Sequence, residues 1–527
     1  MQRHPIPYRS TNRFTPIVLG YLDGAPSLNE HSIFHPDREG LRSAMAARRF
    51  DPQMRTRLSS ALERQYAGVN ITPETRANLN ALKSEGTLTV TTGHQLWLFT
   101  GPLYLPFKIL NVIRLARELT TPDRAVVPIF WMAAEDHERA GIDHAWINGK
   151  KITWPSEGGG AAGKAKLTGI DAVLAELDPL LGVGTHADDL RAMLRAAYKP
   201  EHTLAQATRL FINALFGRFG LVILDGDDAD LKSAFVPIMQ EELLNEVVKR
   251  TVDYANQKLE GQYEAQAHAR DINLFHLRDG HRSRIVREDD RYRVLDNGPS
   301  WMMDELLAEL QQHPEKFSPN VLMRPLYQET ILPNIAYVGG GGELSYWLQL
   351  RWLFQSMQLP MPALVLRTSA TLLSAKDDAR WKELGLEIGD LFADANELRA
   401  RVATAQAGFS TDLSRERADL QEFFDRLSAR VRVVDPTLVG TVLTGTQQAM
   451  KGLAHMEEKL VRAAKRQQET ALQRIDGVLA HVFPEGMLHE RRDNFMPWYC
   501  AKGPAFFDEL LAQLDPLDAR FTVLTDQ

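Results

Sequence analysis

Five short apolar runs constrain the fold of this 527-residue chain more than any other feature. They look like strands, they lie in the first two-thirds of the chain, and helical patterns separate several of them. Near-continuous apolar strands joined by helices predict a parallel sheet that is covered on both faces. Ligands of such sheets bind at the carboxyl ends of the strands, where the strand order reverses. The five predicted strands are 87–92, 125–133, 221–225, 335–339 and 363–367.

Two polar stretches interrupt this pattern. Residues 148–200 begin with a Gly-rich, hairpin-like piece, and residues 235–320 combine a long helix with charged strand material. Asp279-Gly280 and Asn297-Gly298 in the second stretch are turn signals. We interpret both stretches as excursions from the parallel α/β sheet. The core then comprises residues 1–147, 201–234 and 321–380.

The composition changes between residues 381 and 480, where Ala, Glu, Arg, Gln and Leu dominate. Residues from Val439 to Thr470 follow a 4-3 spacing, which predicts a coiled-coil helix. A second amphipathic helix at 413–433 precedes it, and Asp435-Pro436 supplies an N-cap and a first-turn proline. The pair predicts an antiparallel coiled-coil arm. Its seam is partly polar, so we expect a second copy of the chain to pack on it in a homodimer. Residues 481–527 are expected to return to the core.

Composition and charge exclude several classes of protein. A net charge of −7 and a pI of about 6.1 argue against a surface that coats nucleic acid. Apolar runs end well before 18 residues, so no membrane span is expected. The first residues show no secretory signal. The single cysteine, Cys500, fits a reducing cytoplasm, which is the expected location.

The first candidate site is Thr92-Gly93-His94-Gln95, at the end of the first predicted strand. Glycine allows a phosphate to approach the backbone closely, and a following helix N-terminus favours negative charge. His94 could donate to a phosphoryl oxygen, and Lys108 could add a point charge for an anion. A helix-capping turn with a packed histidine remains the structural alternative.

The second candidate site follows the strand at 125–133 and contains Glu135, Asp136 and His137, then Asp143 and His144. A carboxylate here could hold an ammonium group, and His137 could shuttle a proton. A divalent-metal site is a weaker option, because the spacing matches no specific ligand pattern. A solvated acidic loop is the structural alternative.

Two further groups lie near the last two predicted strands. Four glycines, Gly339, Gly340, Gly341 and Gly342, precede an apparent helix at 343–357 and could form an anion-binding turn. Arg367 and Ser369 follow the strand at 363–367 and suit a phosphate or a carboxylate. The remaining candidates of these groups, predicted to bind substrate, are Asn320, Arg324, Tyr327, Glu343 and Tyr346.

Four longer stretches contain these groups. They read TTGHQLWLFTGPLYLPFK, VPIFWMAAEDHE, FSPNVLMRPLYQETILPNIAYVGGGGELSYWLQL and FPEGMLHERRDNF. With the coiled arm, they make the chain resemble the family of bacillithiol biosynthesis cysteine-adding enzymes, the cysteine ligases of that pathway. The resemblance implies a Rossmann-type core similar to class I aminoacyl-tRNA synthetases, with two connective insertions and a dimerising coiled coil. Those synthetases carry His-x-Gly-His at this junction, and Thr91 stands here at the first histidine.

The resemblance also implies a reaction, in which the carboxyl of L-cysteine joins the amine of glucosaminyl-malate to give bacillithiol. Amide formation requires an activated carboxylate, so we expect ATP with Mg as activating co-substrate and no tightly bound cofactor. Thr92, Gly93, His94, the four glycines and Ser369 are assigned to the phosphates. Asp136 is assigned to the amino group of cysteine and His137 to the base. Lys108, Arg324 and Arg367 are assigned to the malate carboxylates.

Two alternatives stay open at this point. One is another nucleotide-using transferase, such as a nucleotidyltransferase, on the same scaffold. The other is a dimeric scaffold without catalysis that binds a nucleotide. Neither reading involves nucleic acid or a membrane as a partner.

Overall fold

The computed structural model describes residues 1–156, 158–406 and 412–526, with the backbone alone at 403–406, 464 and 465. Glu157, in the predicted Gly-rich piece, lies outside the described residues, as do 407–411 of the predicted arm. The chain divides into two compact units. The first contains Met1, Arg3–Thr371 and Met487–Val523, and the second contains Gln2, Leu372–Gly486 and the residues from Leu524 onward.

Fifteen strands are found in the described residues. They are β1 Gln2–Pro7, β2 Leu88–His94, β3 Val126–Met132, β4 His144–Ile147, β5 Lys150–Thr153, β6 Val222–Asp225, β7 Leu274–Arg278, β8 His281–Glu288, β9 Arg291–Val294, β10 Ser300–Trp301, β11 Phe317–Pro319, β12 Asn334–Gly339, β13 Ala363–Leu366, β14 Ala370–Leu373 and β15 Arg520–Thr525.

Sixteen α-helices belong to the first unit. They are α1 Pro16–Leu22, α2 Arg38–Ala47, α3 Pro52–Gln65, α4 Pro73–Ala81, α5 Tyr104–Leu119, α6 Ile170–Leu177, α7 Thr185–Ala197, α8 Leu204–Phe216, α9 Ala229–Asn245, α10 Val247–Leu259, α11 Met303–Gln312, α12 Arg324–Ile331, α13 Gly341–Trp347, α14 Arg351–Ser356, and, after the second unit, α19 Met496–Lys502 and α20 Ala505–Gln513. The second unit contributes α15 Ala375–Glu383, α16 Ala395–Gln406, α17 Ser414–Val434 and α18 Val439–Val482.

The core of the first unit is a five-stranded parallel sheet with the order β13-β12-β2-β3-β6. These are the five strands that the sequence predicts, so the predicted Rossmann-type sheet is confirmed. The chain passes from β2 outward to β3 and β6, then returns to β12 on the other side of β2. The strand order therefore reverses next to β2, which is where a parallel sheet offers a ligand site.

Polar side chains inside this sheet bond to one another. Asn334 of β12 accepts hydrogen bonds from the hydroxyls of Thr89 and Thr91 at 3.3 and 2.9 Å. Its amide nitrogen donates to the buried Glu329 at 2.8 Å. Buried polar groups without partners are costly, so these bonds explain how threonines are accommodated in the central strand.

The junction after β2 differs from the prediction. Gly93 and His94 belong to the strand itself, where they pair with Trp131 and Met132 of β3. The next helix, α5, begins only at Tyr104. Between them, Phe99 and Thr100 have positive φ angles and form a tight turn. The expectation that Gly93-His94 opens directly onto a helix N-terminus is wrong, because the strand ladder continues through both residues.

The helix predicted at 343–357 is divided in the structure. α13 begins at Gly341, two residues earlier than predicted, and a short 3-10 turn separates it from α14. Gly339 ends β12 in close packing, since an added Cβ would lie 3.1 Å from atoms of Glu343 and Tyr337.

The stretches interpreted as insertions contain antiparallel strands. β4 and β5 form a hairpin, and α6 and α7 follow it. β7 to β11 form a second sheet with the order β10-β9-β8-β7-β11. The boundaries of the insertions stay a prediction.

In the second unit, α17 and α18 form the predicted antiparallel helical hairpin. Leu413 N–H and the Arg417 guanidinium both bond to Glu457, at 3.3 and 2.6 Å. α18 is 44 residues long, and no residue of α17 is buried. Among the described helices of the whole chain, none is both long enough and apolar enough to cross a membrane.

Candidate active site

The carboxyl ends of β2, β3 and β12 bring the predicted site residues to one edge of the sheet. The Ala133 N–H donates to the His94 carbonyl at 2.9 Å, which fixes the end of β2 beside the end of β3. The Arg367 N–H donates to the Gly339 carbonyl at 2.8 Å, which fixes the end of β13 beside β12. Residues far apart in sequence therefore meet at the point where the strand order reverses.

His94 is held as a neutral imidazole. Its Nε2 lies 2.9 Å from the Tyr104 hydroxyl at the first turn of α5. Burial lowers the pKa of His94 to about 3, and the positive charge of Lys108 acts in the same direction. Burial also raises the pKa of Tyr104 to about 12. Both groups are thus uncharged near neutral pH, and the imidazole can serve as a hydrogen-bond partner but not as a cation.

The buried Lys108 and the partly buried Glu343 form an ion pair beside His94. Lys108 also donates to the Gly93 carbonyl at 2.9 Å. Glu343 accepts from the Tyr337 hydroxyl at 2.6 Å and from the Gly340 N–H at 2.8 Å. Burial opposes ionisation of Glu343, but Lys108 and these donors hold its pKa at about 2. The Lys108 charge is therefore already neutralised inside the protein.

Arg324 begins α12 and points its guanidinium at groups without charge. It donates to the Gln328 side-chain oxygen at 3.1 Å and lies 3.5 Å from the hydroxyls of Tyr337 and Tyr346. A Cβ added at Gly93 would lie 3.5 Å from Arg324 Nη1, in ordinary contact. Because Gly93 has no side chain, its backbone lies directly beside the Arg324 guanidinium.

Arg367 is engaged by a carboxylate. Its two terminal nitrogens donate to Glu490 at 3.1 and 2.8 Å, and both side chains are buried. The guanidinium also lies 5.2 Å from the centre of the Tyr104 ring. This bidentate pair has the geometry that arginine and carboxylates favour. The pair orders the surroundings of Tyr104. It also occupies the Arg367 guanidinium, which was predicted from the sequence to bind a ligand.

A second group of predicted residues lies where β3 ends. Asp136 accepts from the Gln95 amide at 2.6 Å and from the His137 N–H at 2.7 Å. The His137 ring is 42% exposed on its side chain, so a ligand can reach it. Its Nδ1 lies 3.1 Å from Nη1 of Arg282, a residue of β8.

This contact bears on the role assigned to His137. Arginine has no acceptor and is always charged, so the Arg282 N–H must be the donor and His137 Nδ1 the acceptor. The ring proton of a neutral His137 then resides on Nε2. The Nδ1 lone pair is occupied and Nε2 carries a proton, so this geometry makes His137 a hydrogen-bond donor and does not support its assignment as a base.

Several other predicted residues bond within the protein. The Thr92 hydroxyl donates to the Val338 carbonyl at 2.7 Å. The Ser369 hydroxyl accepts from Arg367 at 3.1 Å. The fully buried Tyr327 donates to the Gly226 carbonyl at 2.7 Å. Asn320 bonds to Asn273 and receives the backbone N–H groups of 322 and 323. These side chains support the architecture of the edge.

The glycine turn has one of its donors occupied, because the Gly340 N–H bonds to Glu343. Gly341 lies near Val18 and Phe14, whereas space is open around Gly342. In the described residues, no three or more His, Cys, Asp or Glu side chains are grouped so that they could hold a metal ion.

The sequence did not single out Tyr104, Arg282 or Glu490 as site residues. Tyr104 lies ten residues after His94, and its place at the start of α5 could have been inferred from the Thr100-Gly101-Pro102 turn. Gly101 has a φ of +61°, and a Cβ there would lie 2.6 Å from Trp97. Arg282 and Glu490 reach the edge from distant parts of the chain, and no local pattern marks them.

Fold and site together define an α/β protein with a Rossmann-like sheet, a polar cluster at its reversal point and a separate helical coiled-coil region. Comparison with known proteins shows the family to which it belongs. The chain belongs to the bacillithiol biosynthesis BshC family. The family model of the N-terminal Rossmann-like domain matches residues 1–368, and that of the C-terminal coiled-coil domain matches residues 370–525.

Relatives match along the whole length. A protein of Flavobacterium johnsoniae named "Putative cysteine ligase BshC" is 37% identical over 524 residues, which cover 99% of both chains. One of the same name from Christiangramia forsetii is 37% identical over 534 residues, covering 100% of this chain and 99% of the relative. A solved arginyl-tRNA synthetase-like structure from Campylobacter jejuni has 9% identity and a TM-score of 0.22, with 84% of this chain and 97% of that one covered. That score is too low to carry an argument.

Proposed function

We propose that this protein is a cysteine ligase of bacillithiol biosynthesis, which joins the carboxyl of L-cysteine to the amine of glucosaminyl-malate by an amide bond. Family membership supports the reaction class. The observation that carries the proposal for the site is the cluster at the reversal point of the sheet, where neutral His94, the Arg324 guanidinium and the side-chain-free Gly93 lie together. The single cysteine of the chain supports a cytoplasmic location.

The carboxylate of cysteine must be activated before an amine can displace its oxygen, and ATP with Mg is the proposed activator. His94 and Arg324 are the side chains that would face the phosphoryl group, since Thr92 and Ser369 bond elsewhere. The nearby cations are Lys108, Arg324, Arg367 and Arg491, and the carboxylates are Glu343 and Glu490. A net positive charge therefore remains, which suits an anionic ligand.

Asp136 is the proposed partner of the cysteine ammonium group. Its carboxylate is oriented by Gln95 and by backbone N–H groups that follow β3. An ammonium group near this carboxylate would gain a charge-assisted hydrogen bond. His137, with its proton on Nε2, would donate to substrate. Holding both reactants at one edge supplies the orientation that a two-substrate reaction requires.

The decisive experiment incubates the purified protein with ATP, L-cysteine and glucosaminyl-malate. We expect a new thiol with the mass of bacillithiol, detected after derivatisation. The thiol should not form when any one substrate is left out. Phosphate or pyrophosphate release should equal thiol formation if ATP is consumed. A second outcome is a folded preparation that forms no thiol and yet releases phosphate or pyrophosphate with a different acceptor. That result would instead indicate another nucleotide-using transferase.

Gly93→Ala tests the proposed approach of a ligand to β2. The added Cβ meets its neighbours at 3.5 Å or more, so the fold should tolerate it while space beside Arg324 shrinks. We expect loss of thiol formation with an unchanged unfolding midpoint. Gly101→Ala is the contrasting variant, because its positive φ and the Trp97 contact predict destabilisation. Full activity of Gly93→Ala would exclude close approach at this position.

We also propose that the α17–α18 hairpin makes a homodimer. Apolar side chains of α18 remain exposed, with Met456 at 61% and Leu460 at 37%. Replacing both with Glu should convert a dimer into a monomer in light scattering. Glu458→Ala is the matched control, since it lies about 200° around the helix from Met456. A double variant with unchanged mass would contradict this surface.

A further inference from the structure

Arg282 lies at the centre of a contact between β8, β11 and the segment after β3. Its Nε donates to the Ser318 hydroxyl at 3.1 Å, and its Nη2 donates to the Pro319 carbonyl at 3.0 Å. Its Nη1 donates to His137 at 3.1 Å. The guanidinium stacks on the Phe275 ring at 4.0 Å from the ring centre. Four residues from three chain segments thus hold one cation in a fixed orientation.

The charge of Arg282 is not neutralised by a direct partner. All of its hydrogen-bond acceptors are uncharged, and in the described part of the chain it forms no ion pair with a carboxylate. The nearest acidic influences are Glu135 and Asp136. Glu135 is paired with Lys232 at 2.6 Å. Asp136 accepts from neutral donors, the Gln95 amide and backbone N–H groups, so it keeps its charge for the ammonium group proposed to bind there. A partly buried cation that has only neutral partners is costly unless something else compensates it.

The donors of Arg282 are not exhausted. A guanidinium has five N–H groups in a planar fork, and three are used here. One N–H on each terminal nitrogen remains. His137 adds another donor, because acceptance at Nδ1 places its proton on Nε2, on a ring that ligands can reach. A planar fork with a neighbouring N–H matches the two oxygens of a carboxylate.

We propose that Arg282 of β8 and His137, after β3, form a carboxylate-binding subsite for the acceptor substrate, with β11 holding Arg282 in place. This inference rests on the proposed function, in which the acceptor carries the malate carboxylates. Lys108 and Arg367, assigned to these carboxylates from the sequence, already pair with Glu343 and Glu490. Arg282 therefore determines that a carboxylated amine, rather than a neutral aminosugar, is accepted.

The test measures binding to the full-length protein by titration calorimetry. The probes are glucosaminyl-malate, its dimethyl ester, which lacks both negative charges, and ATP. Arg282→Gln should weaken binding of glucosaminyl-malate by about ten- to a hundredfold, as expected for loss of one charged hydrogen-bonding partner. It should leave the affinities for the ester and for ATP unchanged. The selectivity between acid and ester is the quantity that a merely structural role does not alter.

Two further variants separate the contributions. Arg282→Lys keeps the charge and loses the fork, so we expect an intermediate loss of affinity. Arg287→Gln is the matched control on the same strand, because its side chain is half exposed and pairs with Glu246. We expect no change in the affinity for any probe. Unfolding midpoints confirm that each variant is folded, and the Lys variant carries the test if the Gln variant is not.

The outcomes are distinct. Equal weakening of acid and ester in the variants overturns the subsite and assigns Arg282 a structural role. Weakened ATP binding with unchanged acid binding also overturns it, in favour of a phosphate site. If the wild-type protein binds neither acid nor ester, the proposed acceptor is wrong and the inference is rejected with it. Loss confined to the acid supports the subsite even where turnover is slow.

Discussion

The edge between β2 and β12 and the exit of β3 handle charge in different ways. At the first, Lys108 and Arg367 each have a carboxylate partner, Glu343 and Glu490, and His94 is neutral. At the second, Arg282 contacts only neutral acceptors, and His137 is open to solvent. In the first region, most charged groups are paired within the protein. In the second region, N–H donors of Arg282 and His137 are still available to a ligand. Stability and substrate selection are therefore expected to depend on different residues.

The largest expected effect is a loss of stability at the edge between β2 and β12. Lys108→Met leaves the partly buried Glu343 without its counter-charge, which should lower the free energy of unfolding by about 3 kcal/mol, the lower end of the range for a buried pair. Arg282→Met removes bonds to neutral groups and should cost below about 2 kcal/mol. Urea unfolding measures both. Lys83→Met, from an exposed pair with Glu63, is the control and should cost at most about 1 kcal/mol. Equal losses of unfolding free energy in the Lys108 and Arg282 variants would contradict the proposed difference between the two regions.

The second effect concerns catalysis. His94→Ala should reduce the rate of thiol formation by about 10²–10³-fold, the range for removal of one donor at a site of developing charge. His137→Ala should act mainly on the KM of the acceptor, because its role is to bind a carboxylate. Steady-state kinetics with each substrate varied in turn separate kcat from KM. The opposite pattern, with kcat controlled by His137, would reverse the assignment of the two regions.

The third effect is a dependence of stability on pH. The folded-state pKa of His94 is about 3, below its ordinary value of 6.5, so the unfolded chain binds the proton first. This contribution to stability is complete above about pH 6.5 and is lost as the pH falls toward 3, by at most about 1.4 kcal/mol per pH unit. His94→Gln should flatten the stability profile in that window. A profile identical to that of the wild type would show that His94 titrates normally.

The smallest effect tests the stacking at the β3 exit. Phe275→Leu keeps an apolar neighbour but removes the ring face under Arg282. A cation–π contact contributes about 0.5–2 kcal/mol, so a modest loss of acceptor affinity is expected, without a change for ATP. Calorimetry measures both affinities. An acceptor affinity that does not change would mean that the three hydrogen bonds alone fix Arg282.

The sheet was predictable because its strands are short β-prone runs, most of them apolar, that are separated by helical patterns. The same reasoning placed His94 and Asp136 at one edge, since parallel strands end together. It did not show that Gly93 and His94 continue the strand, because that depends on their pairing with Trp131 and Met132 of β3. It could not identify Arg282 either, since the register of β7 and β8 decides which arginine of that charged strand faces His137.

Partner assignments were the least predictable. Lys108 and Arg367 have the chemistry of anion-binding residues, but Glu343 and Glu490 approach them only in the folded chain. A sequence shows which side chains carry charge and not which charges are cancelled. An arginine without a carboxylate partner, such as Arg282, can therefore be recognised only from the folded structure.

The hydrogen bonds from Thr89 and Thr91 to Asn334 have a consequence for biosynthesis. β2 leaves the ribosome long before β12, because Thr91 and Asn334 are 243 residues apart. At about 5–20 residues per second, translation of that interval takes about 12–50 s. During this time the central strand has β3 beside it but lacks the partner for its buried hydroxyls. One edge of the nascent sheet therefore stays unpaired until β12 has been synthesised. We expect chaperones to bind this edge during that interval.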